Sequence, residues 1–454
     1  MTGRHDHAII TLIAVCFGLF MIQLDLTVVN VALKSIQDHL HAGVTALQWV
    51  VDAYAILFSS LMLTTGDLGD LFGRRRMYTG GMVLFVLGSI ACASAPSYAF
   101  LIGARSLQGI GAAAALPNSL AILRNAFPDA RLRARAIGWW AGVSGLAVVA
   151  GPVLGGFLVG AFGWRSVFWI NVPVGILGLW LSLGFVTESS HPQGRKLDVW
   201  GQVLAASALA SLIFAVIEGQ PLGWGNILVI AAFVWAGMSG VAPCLVERRH
   251  THPMLDFRFF RQPVFTAANA ASGLMNFGVF ATLFAFSLYL LHIQQLSPEQ
   301  VGLRLAVMFA PFALSLPFGG RITGHFGSRY PAALGLGATG AGMLLLSLVP
   351  QVTDDALMYA ALLIIGLGLA AATPALVAVA IGALPPERSG AAAFNNTSRQ
   401  AGGALGVVLL GGLVGVDASI STAGVVAAIL GSAAALLLGD FTVQKWRAFV
   451  RIRV

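Results

Sequence analysis

Residues 66–76 read GDLGDLFGRRR, a short charged segment between two apolar runs at about 47–69 and 78–95. Its three glycines permit a tight turn between two helices. A weaker copy, GRITGHFGSR, occupies residues 320–329. The glycine-rich segment 151–156 also has a partial counterpart, at 402–406, after nearly the same interval. Two matches at one interval predict a duplicated helical bundle.

The composition around this segment is that of a membrane protein. Of the 454 residues, 57% are hydrophobic and only 10% are charged, against about 25% charged in an ordinary soluble domain. A soluble enzyme is therefore excluded. Because a helix needs ~20 apolar residues to cross a bilayer, each long apolar run is a candidate span. These runs lie near 8–31, 47–69, 78–95, 99–122, 136–160, 166–187, 199–217, 226–246, 264–290, 302–322, 331–349, 355–381, 396–416 and 420–439.

We therefore predict an all-α integral membrane protein with fourteen transmembrane helices. The duplication divides the chain into an N-terminal six-helix bundle at 1–190, two inserted helices at 191–250 and a C-terminal six-helix bundle at 251–454. Internal duplication is typical of transporters, whose substrate sites lie where the repeats meet.

The distribution of basic residues predicts the orientation. Most of the 26 Lys and Arg residues, such as Arg74–Arg76 and Arg248–Arg249, fall in alternate gaps between the runs. The positive-inside rule places that side in the cytoplasm, which puts both termini there. The net charge of +8 is then explained by topology in a bacterial inner membrane, and no nucleic-acid partner is expected.

Well inside apolar runs of the first bundle lie Asp25, Asp52, Arg105 and Gln108. Each charge costs at least about 2.5–3.5 kcal/mol within a membrane span, so such residues are usually functional. All three charges lie roughly 9 Å from the outer end of their runs, at 1.5 Å per residue, and Gln108 shares the helix face of Arg105. Two readings stay open: a structural ion pair, or a titrating cluster at which a proton and a cation compete. We take Asp25 as the first choice for the coupling site and Asp52 as the second.

Several motifs resemble those of the major facilitator superfamily. The segment at 66–76 is similar to its signature loop, and residues 24–33 and 105–111 resemble its drug:proton antiporters. The pattern of Gly151, Pro152, Gly155 and Gly156 matches their antiporter motif. Residues 164–173 and the inserted helix pair resemble the fourteen-span branch, which includes multidrug and quaternary ammonium exporters.

The resemblance implies roles for these residues. Gly66, Asp70, Gly73, Arg74 and Arg75 would form a cytoplasmic gate, in which Asp70 pairs with an arginine or a helix N-terminus in one state only. The alternative is that the arginines anchor the loop to the cytoplasmic side. The antiporter motif would prevent leak between the halves.

Three departures from the family pattern accompany the resemblance. Leu71 stands where the signature loop usually has Arg, and Gly324 stands where its second copy would have Asp. Ala147 replaces a glycine of the antiporter motif. The first two departures concern charge relay at the gate.

The function we predict is proton-coupled antiport that exports lipophilic, cationic drugs or toxic compounds across the inner membrane by alternating access. The alternative is an exporter of one specific endogenous metabolite on the same fold. No enzyme activity, cofactor or metal site is expected, since the proton gradient supplies the energy and no His or Cys pair has metal-ligand spacing. We expect a monomer in the lipid bilayer that binds protons and a small molecule, and we leave open an outer-membrane efflux partner.

Overall fold

The computed structural model describes residues 2–190, 199–246, 262–352, 355–383 and 391–413. Within these ranges the regular structure is helical, with no β-strand. The helices are α1 (Thr2–Leu40), α2 (Val44–Phe72), α3 (Arg74–Ala93), α4 (Tyr98–Ala126), α5 (Ala130–Phe162), α6 (Ser166–Trp169), α7 (Asn171–Phe185), α8 (Val199–Leu222), α9 (Ile227–Val246), α10 (Pro263–Leu288), α11 (Pro298–Phe326), α12 (Arg329–Val352), α13 (Asp355–Gly382) and α14 (Ala391–Leu413), with a π-helical turn at Tyr289–Ile293 after α10.

The helical membrane fold predicted from the composition is confirmed. Among the described residues, ten helices are long and apolar enough to cross a membrane. The sixth predicted run is divided between the short α6 and the longer α7. The fourteen-span count stays a prediction, since the last run, 420–439, lies outside the described residues.

Helix packing repeats from one half of the chain to the other. In the first half α1 packs on α5, while α2 and α3 pack on α4. In the second half α10 packs on α14, while α11 and α12 pack on α13. The halves meet along two seams, α5 against α11 and α2 against α14. The proposed domain boundaries stay a prediction, because residues 191–198 and 247–261 are outside the described ranges.

Two glycine contacts show why the same packing occurs twice. A Cβ on Gly111 in α4 would lie 2.6 Å from the carbonyl oxygen of Gly81 in α3. A Cβ on Gly335 in α12 would lie 2.6 Å from the carbonyl oxygen of Gly368 in α13. Small residues allow such close backbone approach in membranes, and Gly335 follows Gly81 at the interval that separates the two glycine-rich loops.

Hydrogen bonds join the two halves between the end of α1 and the segment that connects α10 to α11, on the predicted outer side. The ammonium group of Lys34 donates to the carbonyl of Leu291 at 2.9 Å and to Oε1 of Gln295 at 3.1 Å. His292 Nε2 lies 2.8 Å from Gln37 Oε1. The structure therefore has its halves in contact at this end.

Candidate functional site

The carboxylate of Asp25 in α1 lies at the centre of a buried polar network. Its Oδ2 forms an ion pair with Nη1 of Arg105 in α4. Its Oδ1 accepts hydrogen bonds from Gln108 Nε2 at 3.3 Å and from Asn171 Nδ2, in α7, at 3.1 Å. Both oxygens of a fully buried carboxylate are thus satisfied.

The guanidinium of Arg105 is held by groups from three helices. Besides the bond to Asp25, its Nε donates to the carbonyl of Val50 in α2 at 3.0 Å, and its Nη1 donates to Gln108 Oε1 at 2.9 Å. Its central carbon lies 4.4 Å from the ring centre of Tyr54, within cation–π range. Such a paired and hydrogen-bonded charge is the geometry of a structural ion pair.

Asp52 in α2 has a different environment. Its side chain is fully buried, and neither carboxylate oxygen has a hydrogen-bond partner among the described residues. The side chain lies on a small cavity of about 20 Å³. A cavity of that size holds about one water molecule.

The cavity lies between the two halves. Its N-terminal wall includes Asn30, Asp52 and Arg105, and its C-terminal wall includes Phe280 of α10 and Gln400 of α14. An acidic and a basic side chain of the first half therefore face the second half across a small space.

The structure brings together three of the four predicted site residues, Asp25, Arg105 and Gln108. Asp52 makes no hydrogen bond to this group within the described residues, but it shares the cavity with Arg105. Sequence reasoning missed Asn171 and Tyr54. The signal for Asn171 was a polar residue within the apolar run 166–187.

The segment at 66–76 forms less of a loop than the sequence predicted. Helix α2 continues through Gly66 and Gly69 to Phe72, so the expected turn over all three glycines is wrong. Only Gly73, with φ of +111°, lies at the turn into α3. The reason is packing: a Cβ on Gly69 would collide with the Asn118 side chain of α4.

At the end of α2, Asp70 pairs with Arg74 across the turn. The Arg74 Nε and Nη2 atoms lie 2.8 and 2.7 Å from Oδ1 of Asp70. Asp70 therefore has an arginine partner in this structure. The predicted gate requires such a partner in one of its two states. The side chain of Arg75 donates instead to the carbonyl of Leu183 in α7.

The N-terminus of α3 is capped by Glu188, which the sequence did not single out. The backbone N–H of Arg75 donates to Glu188 Oε1 at 3.0 Å, and that of Arg76 donates to Oε2 at 3.2 Å. The N–H of Arg74 donates to the carbonyl of Ser189 at 2.9 Å. A carboxylate at a helix N-terminus is favoured by the exposed N–H groups and the helix dipole.

The antiporter motif lies in α5 between the halves. Cβ atoms on Gly151 and Gly155 would collide with Thr27 and Val28 of α1. On the opposite side, a Cβ on Gly156 would lie 2.5 Å from the carbonyl oxygen of Pro298 in α11.

Pro152 contributes to the same contact. Its carbonyl oxygen is so close to Gly302 of α11 that a Cβ there would collide with it. The motif therefore permits close approach of α1, α5 and α11.

Comparison with known proteins agrees with this architecture. The sequence profile of the Major Facilitator Superfamily matches residues 15–259 and 268–447. The multidrug resistance protein Stp of Mycobacterium tuberculosis is 38% identical over 408 residues, which cover 89% of this chain and 76% of the relative. The methylenomycin A resistance protein of Streptomyces coelicolor is 34% identical over 451 residues, covering 99% and 94%.

A solved structure supports the fold. The peptide transporter POT in complex with sulfate superposes with a TM-score of 0.71 at 16% sequence identity, covering 94% of this chain and 93% of that one. The profile and the relatives together span almost the whole chain. The chain therefore belongs to the major facilitator superfamily and is a multi-pass membrane transporter rather than an enzyme.

Proposed function

We propose that this chain is a proton-coupled antiporter that exports lipophilic, cationic drugs across the bacterial inner membrane by alternating access. Its relatives include proteins named for multidrug resistance and for resistance to single antibiotics. The observation that carries the proposal is the carboxyl group of Asp52, which lies on the cavity between the halves and has no hydrogen-bond partner among the described residues.

Asp52 is the group that we assign to exchange. An isolated ionised carboxylate in an apolar environment is very costly unless it is paired or takes up a proton. Asp52 is therefore suited to hold either a proton or a cationic substrate, but not both. Binding of the cation releases the proton, and uptake of a proton from outside releases the cation.

Asp25 then has a supporting role. Its two oxygens are occupied by Arg105, Gln108 and Asn171, which leaves it less available to a substrate. This assignment reverses the order that we inferred from the sequence, in which Asp25 was the first choice for the coupling site and Asp52 the second. Arg105 lines the same cavity as Asp52, so its cation is near the ionised carboxylate at the moment when Asp52 has lost its proton.

Alternating access requires that the halves separate. A drug-sized ligand occupies a pocket of roughly 300–1,000 Å³, and the cavity at Asp52 offers about 20 Å³. The halves are joined at the predicted outer side by Lys34 and His292. We assign the Asp70–Arg74 pair to the gate on the opposite side.

A narrower function has one observation in its favour. Two relatives are named for single compounds: the methylenomycin A resistance protein, and the tetracenomycin C resistance and export protein of Streptomyces glaucescens, which is 32% identical over 406 residues. An exporter dedicated to one antibiotic-like metabolite would use the same scaffold. Counterflow with labelled candidates separates the two, because a dedicated exporter exchanges one compound and a multidrug exporter exchanges several.

Transport in vesicles tests the proposal. Purified protein in liposomes, under separately imposed pH and voltage gradients, should move ethidium against its gradient when the proton gradient is present. Exchange of one proton for one monovalent cation moves no net charge, so voltage alone should have no effect. Ethidium movement that ignores the pH gradient would remove proton coupling from the proposal.

A further inference from the structure

Helix α8, the first of the inserted pair, covers one of the two seams between the halves, the seam of α2 with α14. It packs against α2 of the first half and against α14 of the second half, as well as against α9. Its side chains Ile213, Val216 and Ile217 share one buried cluster with Ile56 of α2 and with residues of α14. α8 is therefore in contact with both bodies that must move relative to each other.

The contacts of α8 with α2 are directional. Near its inner end, the Gln202 side chain donates a hydrogen bond to the carbonyl of Ser60. Near its outer end, Glu218 Oε1 accepts a hydrogen bond of 2.8 Å from Trp49 Nε1. Gln202 and Glu218 are separated by about 24 Å of helix, at 1.5 Å per residue. Hydrogen bonds with fixed geometry thus attach α8 to α2 along most of its length.

An aromatic contact strengthens the same attachment. The ring of Phe214 lies 6.2 Å from the ring of Trp49, centre to centre. Hydrogen bonds lose strength steeply when donor and acceptor shift. Sliding of α8 along α2 would therefore break several contacts at once.

The contacts with α14 differ in kind. In the described parts of both helices, α8 meets α14 through apolar side chains, which include Ala404 and Val408 of α14 in the shared cluster. Within a bilayer such apolar contact rests on van der Waals packing, and it has no donor and acceptor that must stay aligned as a hydrogen bond does. A small displacement along such a surface exchanges one apolar neighbour for another at little cost.

From this asymmetry we infer that the inserted helix α8 moves with the N-terminal half and slides over α14, which keeps the α2–α14 seam covered through the transport cycle. The inference rests on the alternating access of the proposed function. It assigns the inserted pair to one half and gives it a mechanical task, the exclusion of lipid from one of the two seams. The α5–α11 seam, in contrast, is closed by glycine contacts such as that of Gly156 with Pro298.

Cross-linking with one shared position tests the inference. In a chain without Cys16, Cys92 and Cys244, Val216→Cys is combined either with Ile56→Cys in α2 or with Val408→Cys in α14. All three positions belong to the same buried cluster, so the two variants differ only in the half to which α8 is tied. Each is linked by a short thiol reagent in liposomes, and ethidium transport is measured before linking, after linking and after reversal.

We expect the link to α2 to leave transport intact, and the link to α14 to abolish it reversibly. Single-cysteine variants treated with the same reagent control for its bulk. Transport that survives the α14 link, or is lost with the α2 link, would overturn the inference. If neither variant transports ethidium before linking, the proposed substrate class has failed instead.

A second measurement does not depend on a substrate. Spin labels at Trp224, in the turn after α8, and at Val44, at the start of α2, should give one narrow distance distribution in detergent. Labels at Trp224 and at Leu303 of α11 should give a broader distribution, since α8 and the second half move relative to each other. Equal widths for the two pairs would contradict the inference.

Discussion

Replacement of Asp25 by Asn measures what the buried ion pair contributes. The Asp25 carboxylate accepts hydrogen bonds from three N–H donors, Arg105 at one oxygen and Gln108 and Asn171 at the other. An asparagine has one acceptor oxygen, so its NH₂ group must face at least one donor whichever way the amide is turned. It also leaves the Arg105 cation buried without a counter-charge.

The expected loss is large. Removal of one partner from a buried ion pair typically costs about 3–5 kcal/mol. We therefore expect Asp25→Asn to lower the free energy of unfolding, measured by denaturation in mixed micelles, by roughly that amount. The matched control is Asp52→Asn, because the Asp52 oxygens have no partner to lose among the described residues. It should cost distinctly less.

A double variant separates the ion pair from packing. Adding Arg105→Gln to Asp25→Asn removes the stranded cation, and part of the lost stability should return. The reasoning is refuted if Asp25→Asn is as stable as the parent protein. It is equally refuted if Asp52→Asn destabilises more than Asp25→Asn.

Three further predictions test other parts of the structure. Asp70→Asn should impair ethidium transport while leaving the protein folded and inserted, since Asp70 and Arg74 are assigned to gating; normal transport by a well-expressed variant would leave the loop with anchoring alone. Glu188→Ala should cost about 1 kcal/mol of stability, as for loss of a helix cap, and Glu188→Gln should cost less; equal stability of both variants and the parent would show that the cap is unimportant. Gly156→Ala should destabilise by ~1–3 kcal/mol through overpacking against Pro298, whereas Gly142→Ala on the same helix, where a Cβ meets nothing within 4 Å, should be neutral or stabilising.

Much of the fold was predictable because the membrane imposes simple rules. Apolar runs mark helices, and a charge within a run stands out by its cost. That is why Asp25, Arg105 and Gln108 were found and also lie together. The repeated glycine patterns likewise indicated the duplicated packing that Gly81 and Gly335 display.

What the sequence did not predict depends on contacts between distant segments. Glu188 caps a helix 113 residues earlier in the chain, and no local pattern indicates that pairing. The different roles of Asp25 and Asp52 also follow from their neighbours rather than from their depth. Gly66 and Gly69 read as turn residues, but both lie within α2, where Gly69 packs closely against Asn118.

The central claim is that Asp52 exchanges a proton for a cationic substrate. Its most direct test is proton release from the purified protein in weakly buffered detergent when ethidium is added. We predict that the parent protein releases protons, that Asp52→Glu retains part of the release, and that Asp52→Asn releases none while remaining folded. Normal proton release by Asp52→Asn would contradict the account and return the assignment to Asp25.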